Sequence, residues 1–159
     1  MPLDDAYELV TTAPALSDYL RLRRDAGLTP KAPEQALGAL ENSWAFCHVR
    51  ERSSGRTVAM GRLLGDGGWY FHVADMATDP DHQRRGIGRA ILEHLLGLIR
   101  ASTPPGAYVS LIGDGPGQPL YRSLGFTEVG PRSTGMALLL GESSAEPAGS
   151  GPVSAPPAA

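Results

Sequence analysis

The sequence predicts an α/β (α+β) fold, with a mixed, mostly antiparallel central sheet flanked by helices. Three observations carry this. Strand-like alternation and helical spacing take turns along most of the chain. Three successive strand segments are joined by turns too short for a crossover, Ser53-Ser54-Gly55 and Gly65-Asp66-Gly67-Gly68, which makes them an antiparallel meander. One long segment has a wide apolar stripe at helical spacing, as expected of a helix packed on a sheet. The 159 residues amount to one domain, enough to bury roughly 68–70% of its unfolded surface.

In order, Tyr7 to Thr11 reads as a short strand. A helix follows from about Pro14 to Ala26, with Leu16, Tyr19, Leu20 and Arg23 on one stripe and Gly27 ending it. A second short helix covers Pro33 to Leu40. The meander strands are Trp44 to Arg50, Thr57 to Leu64 and Trp69 to Thr78. After Gln83-Arg84-Arg85 the period turns helical, with Ile87, Ile91, Leu95 and Leu98 on one face and Leu92, Leu96 and Ile99 widening it. Pro104-Pro105-Gly106 breaks that helix, Tyr108 to Ile112 returns as a strand, and Gln118 to Ser123 forms a short helix closed by Gly125. Strands at Phe126 to Val129 and Met136 to Leu140 complete the predicted sheet. From Gly141, 16 of the last 19 residues are Gly, Pro, Ala or Ser, so a domain over residues 1–140 is expected to end in a flexible tail over 141–159.

A net charge of −3 argues against a general binder of nucleic acid or anionic membranes. The single cysteine, Cys47, has no internal partner for a disulfide, and Met1-Pro2-Leu3-Asp4-Asp5 lacks the basic and apolar regions of a signal peptide, so a cytoplasmic protein is expected. No run approaches the roughly 18 apolar residues of a membrane span.

The chemistry concentrates in Gln83-Arg84-Arg85-Gly86-Ile87-Gly88, where a strand and loop feed a helix. Free N–H groups and the helix dipole converge there on an anion. The glycines let backbone approach a pyrophosphate, and Arg84, Arg85 and Arg89 add positive charge. No Gly-Lys-Ser/Thr follows, which excludes a Walker A loop, and Ile91 stands where the dinucleotide fingerprint requires a third glycine.

A second motif, Leu120-Tyr121-Arg122-Ser123-Leu124-Gly125-Phe126, lies about 35 residues beyond the glycines. Gln-x-x-Gly-x-Gly, preceded by the strand Val73 to Thr78 and Asp79-Pro80 and followed by Tyr-x-x-Leu-Gly-Phe, resembles the GCN5-related N-acetyltransferases, which move acetyl from acetyl-CoA to an amine. The resemblance covers roughly Trp44 to Leu140. It implies that N–H groups of Arg84, Arg85, Gly86, Ile87, Gly88 and Arg89 hold the pyrophosphate, and that the backbone of Met76, Ala77 and Thr78 pairs with the pantetheine arm. It also implies that the strand before the loop bulges and splays from Tyr108 to Ile112, and that an N–H between Asp75 and Ala77 polarises the thioester carbonyl.

Tyr121 matches the family's general acid, a phenol able to protonate the departing thiolate. Asp114 stands where many relatives place an asparagine that contacts the cofactor. Two residues match bases of the family: His72, where some members carry a glutamate, and Asp75, where amino-sugar acetyltransferases carry an aspartate. On an unbulged strand these two point to opposite faces, so one of them is structural, and a water wire without a single base is the remaining alternative. His48, His82 and His94 are scattered and nothing has metal-ligand spacing, so no metal is expected. Arg21, Arg23 and Arg24 read as a solvated face of the first helix.

The segment from Leu22 to Asn42, which the resemblance makes a wall of the acceptor site, carries both charge signs. Trp44, Trp69, Tyr70 and Phe71 add an apolar cleft if they face it. A small-molecule primary amine is the expected acceptor, taken by direct transfer in a ternary complex. A protein or peptide amine is the alternative, and a non-catalytic acyl-CoA sensor is the rival from another class. No nucleic acid or membrane partner is expected, and the resemblance suggests a homodimer.

Overall fold

A computed structural model of the chain describes residues 3–131 and 133–140. The chain divides into two units between Glu128 and Val129. The first contains β1 (Tyr7–Val10), α1 (Leu16–Asp25), α2 (Pro33–Asn42), β2 (Ala45–Glu51), β3 (Thr57–Gly65), β4 (Tyr70–Thr78), α3 (Ile87–Ser102), β5 (Tyr108–Leu111) and α4 (Gln118–Ser123). The strands form one sheet in the order β1-β2-β3-β4-β5. Every pairing is antiparallel except β4 with β5, which is parallel across α3.

The turn between β3 and β4 is held by one side chain. Asp66 Oδ1 accepts the N–H groups of Gly68, Trp69 and Tyr70 at 2.8, 3.0 and 3.1 Å, an Asx-type closure that the Gly-Asp-Gly-Gly sequence allows. These N–H groups hold the Asp66 carboxyl below its ordinary pKa.

Each face of the sheet has its own core. On one, Phe71, Val73, Val58 and Leu63 meet the apolar stripe of α3, where Ile87, Ile91, Leu92 and Leu95 are all but fully buried. Each such side chain contributes about 1.5–3 kcal/mol by leaving water. On the other, Tyr19, Leu22 and Ala36 from α1 and α2 cover Phe46, Met60 and Ala77. Trp44 packs edge-on to Phe71 at 4.8 Å in the first core, whereas Trp69 and Tyr70 are 61% and 45% exposed. The four aromatics therefore do not form one cleft.

β4 is irregular where it matters. Met60 pairs with Ala77 and Arg62 with Ala74, so the single residue Gly61 lies opposite both Asp75 and Met76. This is a bulge, with Asp75 in the left-handed region at φ 53°, a conformation that aspartate tolerates better than most residues. The extra residue reverses the alternation, so His72 and Asp75 share the face covered by α1. Pairing with β5 runs only from Tyr70↔Tyr108 to Val73↔Leu111. Among the described residues, β4 from Ala74 to Thr78 thus has no strand on its β5 side.

Two predicted strands are corrected. The N–H of Phe126 returns to the Tyr121 carbonyl at 3.1 Å and that of Gly125 to Arg122 at 3.1 Å, closing α4 in a Schellman-type cap. Phe126 is thereby used as a helix stop, and its ring packs on Tyr121 at 6.2 Å. Met136 to Leu140 is no strand either. It is an apolar run without the period-2 alternation that specifies a half-buried strand. The second unit has a turn at Gly130 and Pro131, joined by a cis peptide, and no helix or strand among its described residues. The predicted tail over 141–159 lies outside the described residues.

Candidate functional site

A cleft of about 590 Å³ opens where β4 leaves β5, within the range of small-molecule and cofactor sites. Met76, Ala77 and Thr78 of β4 form one wall, the loop and first turn of α3 (Gln83, Arg84 and Gly86 to Arg89) form its floor, and Pro116, Gly117, Pro119, Leu120 and Tyr121 close the far side. Ala26 and His82 complete the lining.

The floor is built for an anion. Arg84 and Gly86 both have left-handed backbone, at φ 61° and 78°, and Gly86 caps α3 with no side-chain cap bond. Left-handed residues in such a run are of the kind that turns successive N–H groups toward an anion, and the dipole of α3 favours negative charge at this end. A Cβ on Gly86 would meet nothing within 4 Å, because that side is open space.

The arginines divide their work. Arg84 and Arg89 line the cleft. Arg89 is steadied by Glu93 at 3.2 Å and Ser123 at 2.6 Å. Arg85 does not line it; its guanidinium donates to the Tyr7 hydroxyl and the Asp81 carbonyl, each at 3.2 Å. Only the Arg85 backbone remains for the ligand, which corrects the expectation that its charge faces the phosphates. The approach to the loop is pinned by Asp79, buried and paired with Arg56 at 2.8 Å and Arg21 at 3.3 Å.

Tyr121 stands at the far wall. A Cβ on Gly113 or on Gly117 would come within 2.9 Å of its ring, so these glycines give the ring its slot. Burial pushes the Tyr121 phenol above its ordinary pKa and the Asp114 carboxylate pushes it further. The phenol is therefore protonated at neutral pH and available as a donor. Asp114 itself does not line the cleft. Its carbonyl accepts the N–H groups of Gly117 and Gln118 at 2.9 and 3.2 Å, and its carboxylate acts on Tyr121.

On the face of β4 covered by α1 the bulge gathers a charged cluster. Asp75 pairs with Arg23 through Oδ1 and with Arg62 at 2.6 Å through Oδ2, which also accepts the Tyr19 hydroxyl at 2.6 Å. Burial pushes the Asp75 carboxyl up, but the Tyr19 hydroxyl and the Arg62 and Arg23 charges outweigh it and hold it below the ordinary value. Arg23 is 6% exposed and also donates to the Thr29 carbonyl. Arg21 is tied to Asp18 and the Thr57 carbonyl. The helix face predicted to be solvated is thus occupied by structural ion pairs at Arg21 and Arg23, and only Arg24 is largely exposed. Two signals pointed to the cluster: Arg23 shares a stripe with Tyr19, and Arg62 interrupts an apolar strand, where a charge needs a partner.

Asp75→Asn should cost about 2–3 kcal/mol, since it leaves two buried guanidinium groups under-compensated. Because folding lowers this carboxyl, its contribution is complete above about pH 4 and is lost as pH falls through the folded value. Urea midpoints of the two proteins should differ at pH 7 and converge at acid pH; a constant gap would remove Asp75 from the cluster's energetics.

His72 occupies the same face. Its Nδ1 lies 2.9 Å from Ser110 Oγ. Burial, then the Arg62 charge, lowers its pKa, so the imidazole is neutral at pH 7. Cys47 is fully buried with its thiol pushed up to about 12, which makes it a packing residue. His48, also buried, donates from Nδ1 to the Thr12 carbonyl and accepts from Arg50, a satisfied structural histidine.

Comparison with known proteins agrees with this geometry. Residues 43–128 match the acetyltransferase (GNAT) domain family. Serotonin N-acetyltransferase 2, chloroplastic, of Oryza sativa subsp. japonica is 34% identical over 113 residues, covering 70% of this chain and 56% of that protein. The chain thus spans about half the length of that relative. A Staphylococcus aureus protein of unknown function, described as a probable acetyltransferase, superposes with a TM-score of 0.79 at 34% identity over 84% of this chain and 98% of its own. A GNAT family acetyltransferase from Streptococcus pneumoniae gives 0.71 at 26% over 84% and 97%. No helix among the described residues is long and apolar enough to cross a membrane.

Proposed function

The chain belongs to the GNAT acetyltransferases, and on that premise we propose that it is an acetyl-CoA-dependent N-acetyltransferase moving acetyl to a primary amine of a small molecule, by direct transfer in a ternary complex. One observation carries the reading. The bulge at Asp75 and the end of the β4–β5 pairing leave an anion-binding cleft along Met76 to Thr78, and a neutral imidazole stands earlier on the same strand. Donor and acceptor can then meet along one strand.

The cleft fits the cosubstrate. N–H groups from Arg84 to Arg89 would hold the pyrophosphate, with Arg84 and Arg89 adding charge. The backbone of Met76 to Thr78 would pair with the pantetheine amides as an added strand. Acetyl-CoA supplies an activated thioester. An N–H from Asp75 to Ala77 would stabilise charge on its carbonyl oxygen.

Two groups move protons. His72, neutral and half-buried on the face of β4 covered by α1, accepts a proton from the incoming ammonium, directly or through water, and leaves a nucleophilic amine. Tyr121 donates its hydroxyl proton to the departing sulfur. Asp75, whose oxygens already serve Arg23, Arg62 and Tyr19, is assigned to holding the bulge.

His72→Gln should lower kcat/KM about 100-fold. Since burial lowers this imidazole, the base form dominates down to below about pH 6.5. The acidic limb of the wild-type profile should fall under that value and vanish in the variant. An unchanged limb would reject His72 as the base.

The test of function is thiol release from acetyl-CoA with a panel of arylalkylamines, polyamines, amino acids, amino sugars and a lysine peptide, beside calorimetry of acetyl-CoA. Arylalkylamines lead because the rice relative is named for serotonin. Turnover of a small amine supports the reading, and turnover of the peptide alone would replace it with a protein acetyltransferase. Tight binding without turnover would make the chain a sensor.

A further inference from the structure

His72 and Ser110 are direct register partners across the parallel β4–β5 pair. His72 Nδ1 lies 2.9 Å from Ser110 Oγ, and Ser110 Oγ lies 3.3 Å from the carbonyl oxygen of Phe71. A serine hydroxyl carries one proton and two acceptor lone pairs, and a carbonyl oxygen can only accept. A Ser110 proton directed at Phe71, which the 3.3 Å contact allows, leaves Oγ to accept from the ring. In that arrangement Nδ1 carries hydrogen and donates, which leaves the lone pair on Nε2.

We propose that Ser110 is a positioning residue that locks His72 in the Nδ1–H tautomer, so that Nε2 is the atom presented to the amine. The catalytic consequence rests on the reading of His72 as the base; the tautomer does not.

The choice of partner suits the task. A carboxylate at this place would also orient the ring, but it would favour the imidazolium and fill the base before substrate arrives. Serine orients without charge. The charged groups on this face are Arg62 of β3, which holds the imidazole low, and Asp75 of β4, already neutralised by Arg62 and Arg23. When Nε2 takes the proton, the positive charge is shared with Nδ1–H, whose bond to Ser110 and through it to Phe71 strengthens.

The tautomer can be read in the resting protein, so the test depends on no particular acceptor. In protein labelled with 15N-histidine, long-range proton–nitrogen correlation at neutral pH should show His72 with protonated Nδ1 and bare Nε2, the signal being assigned by its loss in His72→Gln. Ser110→Ala should convert it to a tautomer mixture, and Ser110→Thr, which keeps the hydroxyl, should restore it. An Nε2–H tautomer in the wild type, or an unaltered spectrum in Ser110→Ala, would overturn the proposal. With the fastest amine of the panel, Ser110→Ala should lower kcat about tenfold on the pH plateau at unchanged KM for acetyl-CoA. Full kcat in His72→Gln would defeat the base reading alone, leaving the tautomer to its own spectrum.

Discussion

Gly86→Val should weaken acetyl-CoA binding on the order of 10³-fold. Gly86 sits at φ 78°, where a β-branched residue is a steric outlier, and it is the residue from which α3 starts. Among the described residues, nothing beyond its chain neighbours stands within 4 Å of an added Cβ, so the Cβ itself meets no clash. The penalty is conformational, about 1–3 kcal/mol at such a position. The chain can relieve it by moving φ to negative values, which turns the N–H groups of Gly86 and Ile87 out of the concavity. Two lost charge-assisted hydrogen bonds, at about 1.5–3 kcal/mol each, weaken binding on the order of 10³-fold. The melting temperature should fall by about 2–12 °C, because a penalty of about 1–3 kcal/mol shifts a domain of this size by about 2–4 °C per kcal/mol. Calorimetry of acetyl-CoA with the folded variant decides the matter. Affinity within tenfold of the wild type would mean that the phosphates lie elsewhere. Gly86→Ala, with one methyl and no branch, should fall between the two.

What the sequence makes legible is what neighbouring residues decide together. The stripe of α3, the stop at Gly125 and the glycines of the loop are local patterns, and α4 runs over Gln118–Ser123 as its spacing predicts. The bulge is different. Nothing within Tyr70–Thr78 says which residue is the extra one, because Asp75 is held at positive φ by Arg23 and Tyr19 of a helix more than fifty positions earlier and by Arg62 on the preceding strand. Without the bulge, His72 and Asp75 fall on opposite faces and look like rival bases. With it, they share a face and divide into a neutral imidazole and an ion-paired carboxylate. The contact between His72 and Ser110 joins residues 38 apart, and only the β4–β5 register brings them together. At Phe126 a local signal misleads: an apolar residue after glycine reads as the start of a strand, yet its N–H completes the cap of α4.

The second large effect is expected from Tyr121→Phe, which should lower kcat about 10³-fold while the affinity for acetyl-CoA stays within about threefold. The ring is what fills the slot beside Gly113 and Gly117, and phenylalanine keeps the ring. Among the described residues the hydroxyl takes no hydrogen bond, so its removal leaves no buried partner unsatisfied and should cost little stability. It is lost where it matters, at a departing sulfur whose thiol has a pKa of about 8.5 and which leaves poorly as an unprotonated anion in a half-buried cleft. Burial and the Asp114 carboxylate both raise the phenol, so it stays protonated up to and beyond about pH 10. The wild-type kcat profile should accordingly show no basic limb from this group below that pH. Tyr121→Phe should then lower the plateau uniformly instead of shifting a limb. Unchanged kcat in the variant would remove Tyr121 as the acid and leave it a packing residue under Phe126. A basic limb near pH 8 that disappears in Tyr121→Phe would instead mean that the phenol is acidified, and that Asp114 does not face it.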